Sequence, residues 1–176
     1  MLKKKALVYL YTGNGAGKTT AALGVCLRAV GHGLRAVVVQ FMKGRKDIGE
    51  YKIQAKLKNF ELYQFGRRGW VDLKNPAKED IEMARKGLRF VEEKILKNPP
   101  DLLVLDEINL AAAIGLISTK EVISLLDKVP AKTTVFMTGR YASEELINRA
   151  DTATEMVMIK HVLEKQGIAA RRGIQY

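Results

Sequence analysis

The sequence predicts an α/β fold in which helices cover both faces of a doubly wound, mostly parallel sheet. Short apolar runs alternate with amphipathic segments along the chain, which is the pattern of consecutive β–α–β units. A glycine-rich segment follows the first apolar run, residues 6–10, and leads into a helical pattern. The 176 residues suit one substantial core, so we expect residues 1–176 to fold as a single domain.

The remaining strands are predicted from apolar runs bounded by turn residues. Residues 35–40, 102–105 and 133–138 are continuous apolar runs of the kind found in buried parallel strands. Residues 60–65 and 154–159 alternate more between apolar and polar side chains. We therefore place these two toward the edges of the sheet.

Helices are predicted between the strands. The first runs from the glycine-rich segment through Val30 and ends at residues 31–33, where two glycines favour a left-handed cap. Two others are expected over residues 119–128 and 143–149.

A longer helix is expected to begin with Asn75 as its cap and Pro76 at its first position, and to stop at residues 98–100. Its apolar residues recur at helical spacing: Ile81, Ala84, Leu88, Val91 and Ile95.

The glycine-rich segment has the composition of a phosphate-binding loop. Its glycines leave room for a polyphosphate to approach backbone N–H donors, Lys18 supplies positive charge, and Thr19 supplies a hydroxyl for Mg²⁺. The alternative is a glycine-rich turn with a solvated lysine. The strand before it, the helix after it and an acidic strand downstream favour a triphosphate site, and hence a P-loop NTPase-like (RecA-like) fold. The predicted nucleotide contacts here are Gly13, Asn14, Gly15, Ala16, Gly17, Lys18, Thr19 and Thr20.

Ligands of such sheets bind beyond the carboxyl ends of the strands. Asp106 and Glu107 follow the run 102–105, as the carboxylates of an ATPase do when they face Mg²⁺ opposite the loop threonine. Thr19, one carboxylate and the phosphates would suffice to hold the cation, so the candidate metal ligands are Thr19, Asp106 and Glu107. The alternative role for Asp106 is to cap a following helix, and both roles are compatible.

Three cationic residues are candidates for contacts with the nucleotide. Arg140 follows the run 133–138. A guanidinium at this position would either reach the triphosphate or form an ion pair on the surface. Lys43 follows the second strand and has the same two interpretations. Arg28, in the first helix, contacts the nucleoside or lies on the helix surface.

Residues 43–75 have little helical pattern and several glycines, and we expect them to form the substrate side of the site. They contain Trp70, the only tryptophan of the chain. A loop tryptophan either anchors local packing or lines a flat, largely apolar ligand.

Composition limits the partners and the compartment. Thirty Lys and Arg against nineteen Asp and Glu give a net charge of +11, but the basic residues are scattered among acidic ones, which argues against nucleic-acid binding. No apolar run approaches the roughly 20 residues of a membrane span, and the basic start of the chain lacks a signal peptide's apolar core. We expect a cytoplasmic protein in which Cys26 is a buried thiol, and in which His32 and His161 form no metal site.

The chain resembles the ATP:corrinoid adenosyltransferases that load cobalamin and its precursors with a 5′-deoxyadenosyl group. The resemblance covers nearly the whole sequence and is specific in the order and spacing of its motifs. They are residues 12–22, 28–33, 40–44, 105–107, 138–140, 150–152, 160–161 and 173–174.

The resemblance implies that a reduced corrinoid and ATP are the substrates and that intact triphosphate leaves. It implies that Lys18 and the loop amides hold the triphosphate, reversed in the loop, and that Thr19, Glu107 and Asp106 organise Mg²⁺ or Mn²⁺. Lys18 and Glu107 are the expected catalytic residues. A homodimer and an electron donor such as a flavoprotein are implied partners.

We place the corrinoid contacts at Trp70, Phe65 and Lys43, and the resemblance itself implies the first of them. Some members use two aromatic residues, two positions apart, to displace the lower axial base of the corrinoid. Trp70 matches the second, and Arg68 stands where the first would be. The family's loop often has lysine at the position of Ala16.

Two other classes stay open from the residues alone. A small-molecule or nucleoside kinase would cleave at the γ-phosphate and often carries an arginine-rich lid. A nucleotide-dependent binding protein, either a motor or a switch, would need a basic binding face or a second lobe. The sequence has no clear lid segment, basic face or second lobe.

Overall fold

The computed structural model describes residues 5–160 and 171–174. Within them, six parallel strands form one sheet in the order β3-β2-β4-β5-β1-β6. The predicted α/β fold is confirmed, and β5 lies between the loop-bearing β1 and the acidic β4. The strands are β1 Val8–Thr12, β2 Ala36–Phe41, β3 Phe60–Phe65, β4 Leu102–Asp106, β5 Thr134–Thr138 and β6 Thr152–Glu155.

Six α-helices connect these strands in the described part of the chain. Two of them, α2 and α4, were not predicted, because helices of five and six residues are too short to show a periodic apolar face. The helices are α1 Lys18–Gly31, α2 Gly49–Ile53, α3 Lys78–Phe90, α4 Ile108–Ala113, α5 Thr119–Lys128 and α6 Glu144–Arg149. None of the described helices is long and apolar enough to cross a membrane.

Helices cover both faces of the sheet because successive strand residues point to opposite sides. In β2, Val37, Val39 and Phe41 join the core beneath α3, α4, α5 and α6. Ala36 and Val38 of the same strand pack against the α1 side. Buried on both faces, β2 has the continuous apolar sequence of an interior parallel strand.

The start of α3 differs from the prediction. The helix begins at Lys78 with Ala77 as its cap, so neither Asn75 nor Pro76 has the expected position. The backbone N–H of Ala77 donates to Asp80 Oδ2 at 3.1 Å, and the N–H of Asn75 donates to Asp72 Oδ1 at 3.2 Å. Asn75 is therefore held in a turn by Asp72, and the hydrogen bond from Ala77 to Asp80 fixes the start of the helix.

The far end of the long helix is a single π-helical turn, Val91–Ile95. The helical spacing of its apolar residues is still satisfied, since Val91 and Ile95 are both buried. At the sheet edges, β1 begins two residues later than predicted, and β6 ends at Glu155 instead of continuing to residue 159.

Candidate functional site

The loop predicted to bind phosphate connects β1 to α1 at the carboxyl edge of the sheet. Gly13 and Gly17 have positive φ angles of 92° and 106°, which favour glycine. A Cβ at Gly13 or Gly15 would lie 2.4 Å or 2.7 Å from the backbone oxygen of Met156. The glycines therefore also make room for the segment that follows β6.

That segment is hydrogen-bonded to the loop. The N–H of Gly15 donates to the Met156 carbonyl at 2.7 Å. Asn14 Oδ1 accepts from the N–H of Met158 at 3.0 Å. Asn14, predicted as a nucleotide contact, thus supports the loop in this structure.

Lys18 lies within the loop. Its Nζ donates to the carbonyl oxygens of Gly13 and Gly15 at 2.7 Å and 2.6 Å. Burial lowers the pKa of the Lys18 ammonium, while the negative charge of Glu107 opposes that shift. The ammonium is thus held by neutral carbonyls at the point where a phosphate would bind.

Asp106, at the end of β4, is the centre of a buried polar network. Its carboxylate accepts hydrogen bonds from Thr19 Oγ1 at 2.8 Å, Lys43 Nζ at 2.7 Å, Gln40 Nε2 at 3.0 Å and Thr138 Oγ1 at 2.6 Å. Burial alone would raise the pKa of Asp106, but the Lys43 charge and these hydrogen bonds outweigh it and lower the pKa. Asp106 is therefore an ionised anchor that joins β4 to its two neighbouring strands and to α1.

Glu107 follows directly in the left-handed conformation, with φ of 62°. Its N–H donates to Thr138 Oγ1 at 3.0 Å, while its carboxylate makes no hydrogen bond to any described residue. Burial raises the pKa of Glu107, although the charges of Lys43, Lys18 and Arg140 oppose this. A carboxylate left without a hydrogen-bond donor in this setting is suited to face a ligand.

Arg140 follows Gly139 at the end of β5 and is exposed. Its charge acts on both Lys18 and Glu107, so it shares their electrostatic environment. Ala16 and Thr20 are exposed on the loop and on the first turn of α1.

Beside this edge lies a cleft of about 390 Å³. Trp70 lines the cleft with 98% of its surface exposed, so it does not anchor local packing. Lys43 connects the cleft to the Asp106 network, because it lines the cleft and its Nζ donates a hydrogen bond to Asp106. The full lining is Met42, Lys43, Gly44, Arg45, Asp47, Ile48, Glu50, Arg67, Arg68, Gly69 and Trp70.

Comparisons of the sequence with known proteins place the chain in one family. The family model described as ATP:corrinoid adenosyltransferase BtuR/CobO/CobP matches residues 4–176. The chain belongs to that adenosyltransferase family.

Curated relatives of the chain carry the same designation. It is 36% identical to a corrinoid adenosyltransferase of a Sinorhizobium species, over 98% of this chain and 81% of the relative. It is 35% identical to corrinoid adenosyltransferase CobA of Salmonella typhimurium, over 99% and 87% of the two chains. It is 32% identical to a corrinoid adenosyltransferase of Pseudomonas aeruginosa, over 98% and 85%.

Among solved structures, the chain is similar to flagellar accessory protein FlaH from Methanocaldococcus jannaschii. The TM-score is 0.48 at 12% identity, over 85% of this chain and 70% of that one. This similarity is too low to support an argument about the fold. The fold of this adenosyltransferase family member is therefore assigned from its own strand order.

Oxygen donors suited to the predicted Mg²⁺ lie at this edge. Thr19, Asp106 and Glu107 offer hydroxyl and carboxylate oxygens, which are the ligands of a hard cation. Lys43 Nζ lies 3.2 Å from Thr19 Oγ1 and 2.7 Å from Asp106 Oδ2, so the Lys43 ammonium bridges these two oxygens in this structure. No cluster of three His, Cys, Asp or Glu residues suited to a metal exists in the described ranges, and His161 lies outside them.

Two predicted site residues of this adenosyltransferase family member do not lie at the loop or the cleft. Arg28 is ten residues beyond Lys18, about 15 Å along α1, where it lines a groove with Leu34 and Asp101 at the amino ends of the strands. Phe65 packs its ring against Phe90, at a centroid distance of 5.2 Å. Their assignments to nucleoside and corrinoid stay predictions.

Two residues that sequence reasoning missed are Gln40 and Thr138. Both are wholly buried and donate to Asp106. Gln40 is itself held by Gln64 Nε2, which donates to its Oε1 at 2.9 Å. The available signal was a polar residue at the end of an apolar run, on each of two strands.

Proposed function

We propose that this protein transfers the 5′-deoxyadenosyl group of ATP to the cobalt of a reduced corrinoid and releases triphosphate. The strongest support is that the predicted phosphate loop and the open cleft with Trp70 lie at one edge of the sheet. Lys43 connects them, because it lines the cleft and donates a hydrogen bond to Asp106 beside the loop. Membership in the ATP:corrinoid adenosyltransferase family supports the reaction type. The corrinoid is cob(I)alamin, cob(I)yrinic acid diamide or cobinamide.

The chemistry requires no catalytic base. The cobalt(I) electron pair forms a bond to C5′ of the ribose, the C5′–O bond breaks, and the triphosphate takes that bonding pair. The protein must align cobalt, carbon and oxygen, stabilise the growing negative charge on the triphosphate, and keep water away.

The residues of the loop supply the charge stabilisation. We propose that Lys18 leaves the Gly13 and Gly15 carbonyls to bind the triphosphate, together with the first N–H groups of α1, which lack intrahelical partners. Arg140, whose charge already acts on Lys18 and Glu107, adds a second cation. These groups favour the transition state because the leaving group gains charge there.

Magnesium or manganese would be held by Thr19 and Glu107, with Asp106 beside them, and would neutralise part of the triphosphate charge. Asp106 accepts four hydrogen bonds, which suits a role in orienting Thr19 and Lys43. Glu107, whose carboxylate makes no hydrogen bond to the described residues, suits direct contact with the bound cation or its waters.

Trp70 and Lys43 are the proposed corrinoid contacts at the cleft. A rigid exposed ring offers contact area to a flat macrocycle at little cost in side-chain entropy. Lys43 extends from Asp106 into the cleft and ties corrinoid binding to the nucleotide network.

Family analogy supports three further parts of the proposal. The protein acts as a homodimer, and an electron donor such as a flavoprotein supplies cobalt(I). The location is cytoplasmic, where ATP and a strong reductant are both available.

The phosphate product separates this function from a kinase. The protein is incubated anaerobically with Mg-ATP and reduced cobinamide, and the nucleotides and phosphates are resolved by anion-exchange chromatography. Intact triphosphate in amounts equal to the adenosylated corrinoid is expected. ADP as the corrinoid-dependent product would support the kinase instead, although the relatives named above are adenosyltransferases.

A further inference from the structure

The cleft beside the nucleotide site is lined by more cations than carboxylates. Its lining contains four cationic residues, Lys43, Arg45, Arg67 and Arg68, and two carboxylates, Asp47 and Glu50. The inference below rests on the proposed function, since it concerns which corrinoid this cleft prefers.

Three of the four cations already have a carboxylate partner. Lys43 pairs with Asp106 at 2.7 Å. Arg45 pairs with Asp47 at 2.8 Å, and these hydrogen bonds, with a smaller effect of the Arg68 charge, lower the pKa of Asp47 to about 2. The carboxylate of Asp47 is therefore compensated by Arg45 and leaves little negative charge to repel an anionic ligand.

Arg67 is fixed by a bidentate pair with a buried carboxylate. Its Nε and one terminal nitrogen each lie 2.7 Å from an oxygen of Asp80, and Asp80 is 3% exposed. Since Asp80 also sets the start of α3, Arg67 ties the segment that carries Trp70 to the body of the protein.

Arg68 remains. It is exposed, it lines the cleft two residues before Trp70, and it makes no hydrogen bond or ion pair with any described residue. Its guanidinium is a planar fork of N–H donors that fits a carboxylate in a bidentate manner. The lining of the cleft thus includes a flat ring and, two residues earlier, an unpaired guanidinium, both exposed.

We propose that Arg68 makes the protein select corrinoids whose peripheral side chains are free carboxylates over corrinoids in which they are amidated. Trp70 contacts the macrocycle, and Arg68 pairs with a carboxylate at its rim. An amide at that position offers only a neutral oxygen, and hydrogen bonds between two charged groups are about twice as strong as neutral ones. Because the pair is exposed, the expected preference is roughly twofold to fivefold.

The test measures binding without turnover. Cobyrinic acid a,c-diamide, which keeps several free carboxylates, and cobinamide, which is amidated, are both used with cobalt in the +2 state, which does not attack ATP. Equilibrium dialysis in the presence of Mg-ATP gives the two Kd values by corrinoid absorbance. The quantity compared among variants is the ratio of these Kd values.

Four proteins are compared. The wild type should bind the carboxylate-bearing corrinoid roughly twofold to fivefold more tightly at low salt. Arg68→Gln should bring the ratio close to one, and Arg68→Lys, which keeps the charge, should retain part of the preference. Arg89→Gln is the matched control, since Arg89 is exposed on α3 nine residues beyond Asp80; it removes the same charge and should leave the ratio unchanged.

Two outcomes overturn the inference. In the first, Arg68→Gln leaves the ratio of Kd values unchanged. In the second, Arg89→Gln changes the ratio as much as Arg68→Gln does, which would make the preference an effect of net charge. Equal binding of both corrinoids by a wild type that adenosylates them overturns the selectivity alone. Failure of the wild type to bind or adenosylate either corrinoid overturns the proposed function as well.

Discussion

Replacing Asp106 by asparagine tests whether the buried network supports the site. The carboxylate accepts from one ammonium, one amide and two hydroxyls. An asparagine keeps a single acceptor oxygen and turns an NH₂ group toward donors, so hydrogen bonds are lost and Lys43 loses its counter-charge. Losing a fully buried pair costs about 3–5 kcal/mol. The Lys43 side chain is 29% exposed and can turn to water, so we expect about 2–3 kcal/mol.

The assay is urea unfolding followed by circular dichroism, with a thermal melt beside it. At about 2–4 °C for each kcal/mol in a chain of this size, the melting temperature should fall by roughly 5–10 °C. The control is Asp127→Asn, which removes a half-exposed carboxylate paired with Lys5 and Arg149 and should cost less than about 1 kcal/mol. A loss for Asp106→Asn no larger than for the control would refute the reasoning.

The pH dependence of this variant has a definite sign. Because the pKa of Asp106 is lowered in the folded protein, its contribution is complete above the pKa of an unfolded aspartate, about 3.9. That contribution is lost as the pH falls through the lower folded value. The stability difference between wild type and variant should therefore be constant from about pH 5 to pH 8 and shrink only in stronger acid.

Four further variants probe separate parts of the account. Lys18→Ala should weaken ATP binding by roughly tenfold to a hundredfold in calorimetric titration, and normal affinity would remove Lys18 from the triphosphate site. Glu107→Gln should lower the Mg²⁺-dependent rate and leave the melting temperature unchanged. Because burial raises the pKa of Glu107, the wild-type rate should rise with pH in weak acid, and the variant should lose that rise. An unchanged rate and pH profile would contradict the role of Glu107. Trp70→Ala should raise KM for the corrinoid more than KM for ATP, whereas the reverse would make it a packing residue. Gly87→Ala should destabilise the protein by about 1–3 kcal/mol, since the new Cβ would lie 2.9 Å from the Phe41 ring; Gly24→Ala, with nothing within 4 Å, is its control and should be neutral or stabilising.

The fold and the residues of the predicted nucleotide site could be derived from local patterns. A strand, a glycine-rich segment and a helix in succession predict a phosphate loop, and Asp106 and Glu107 follow an apolar run. The rule that ligands bind beyond the carboxyl ends of parallel strands predicted that Thr19 and Asp106 lie at one edge, and the structure has them in hydrogen-bond contact.

What escaped prediction depends on contacts between distant segments. The roles of Gln40 and Thr138 require knowing that β2 and β5 flank β4, which strand order alone reveals. Asn14 bonds to a segment 144 residues later, and no local pattern signals such a contact. Phe65 is the last residue of an alternating strand, but only the approach of α3 decides that its ring packs against Phe90.

The proposed reaction is tested most directly by following the cobalt. The protein is mixed anaerobically with Mg-ATP and cob(I)alamin, and the visible spectrum is recorded before and after illumination. A new spectrum that reverts on exposure to light is predicted, because an alkyl–cobalt bond is photolabile. A cob(I)alamin spectrum that persists unchanged, in a protein that binds ATP normally, would contradict adenosyl transfer.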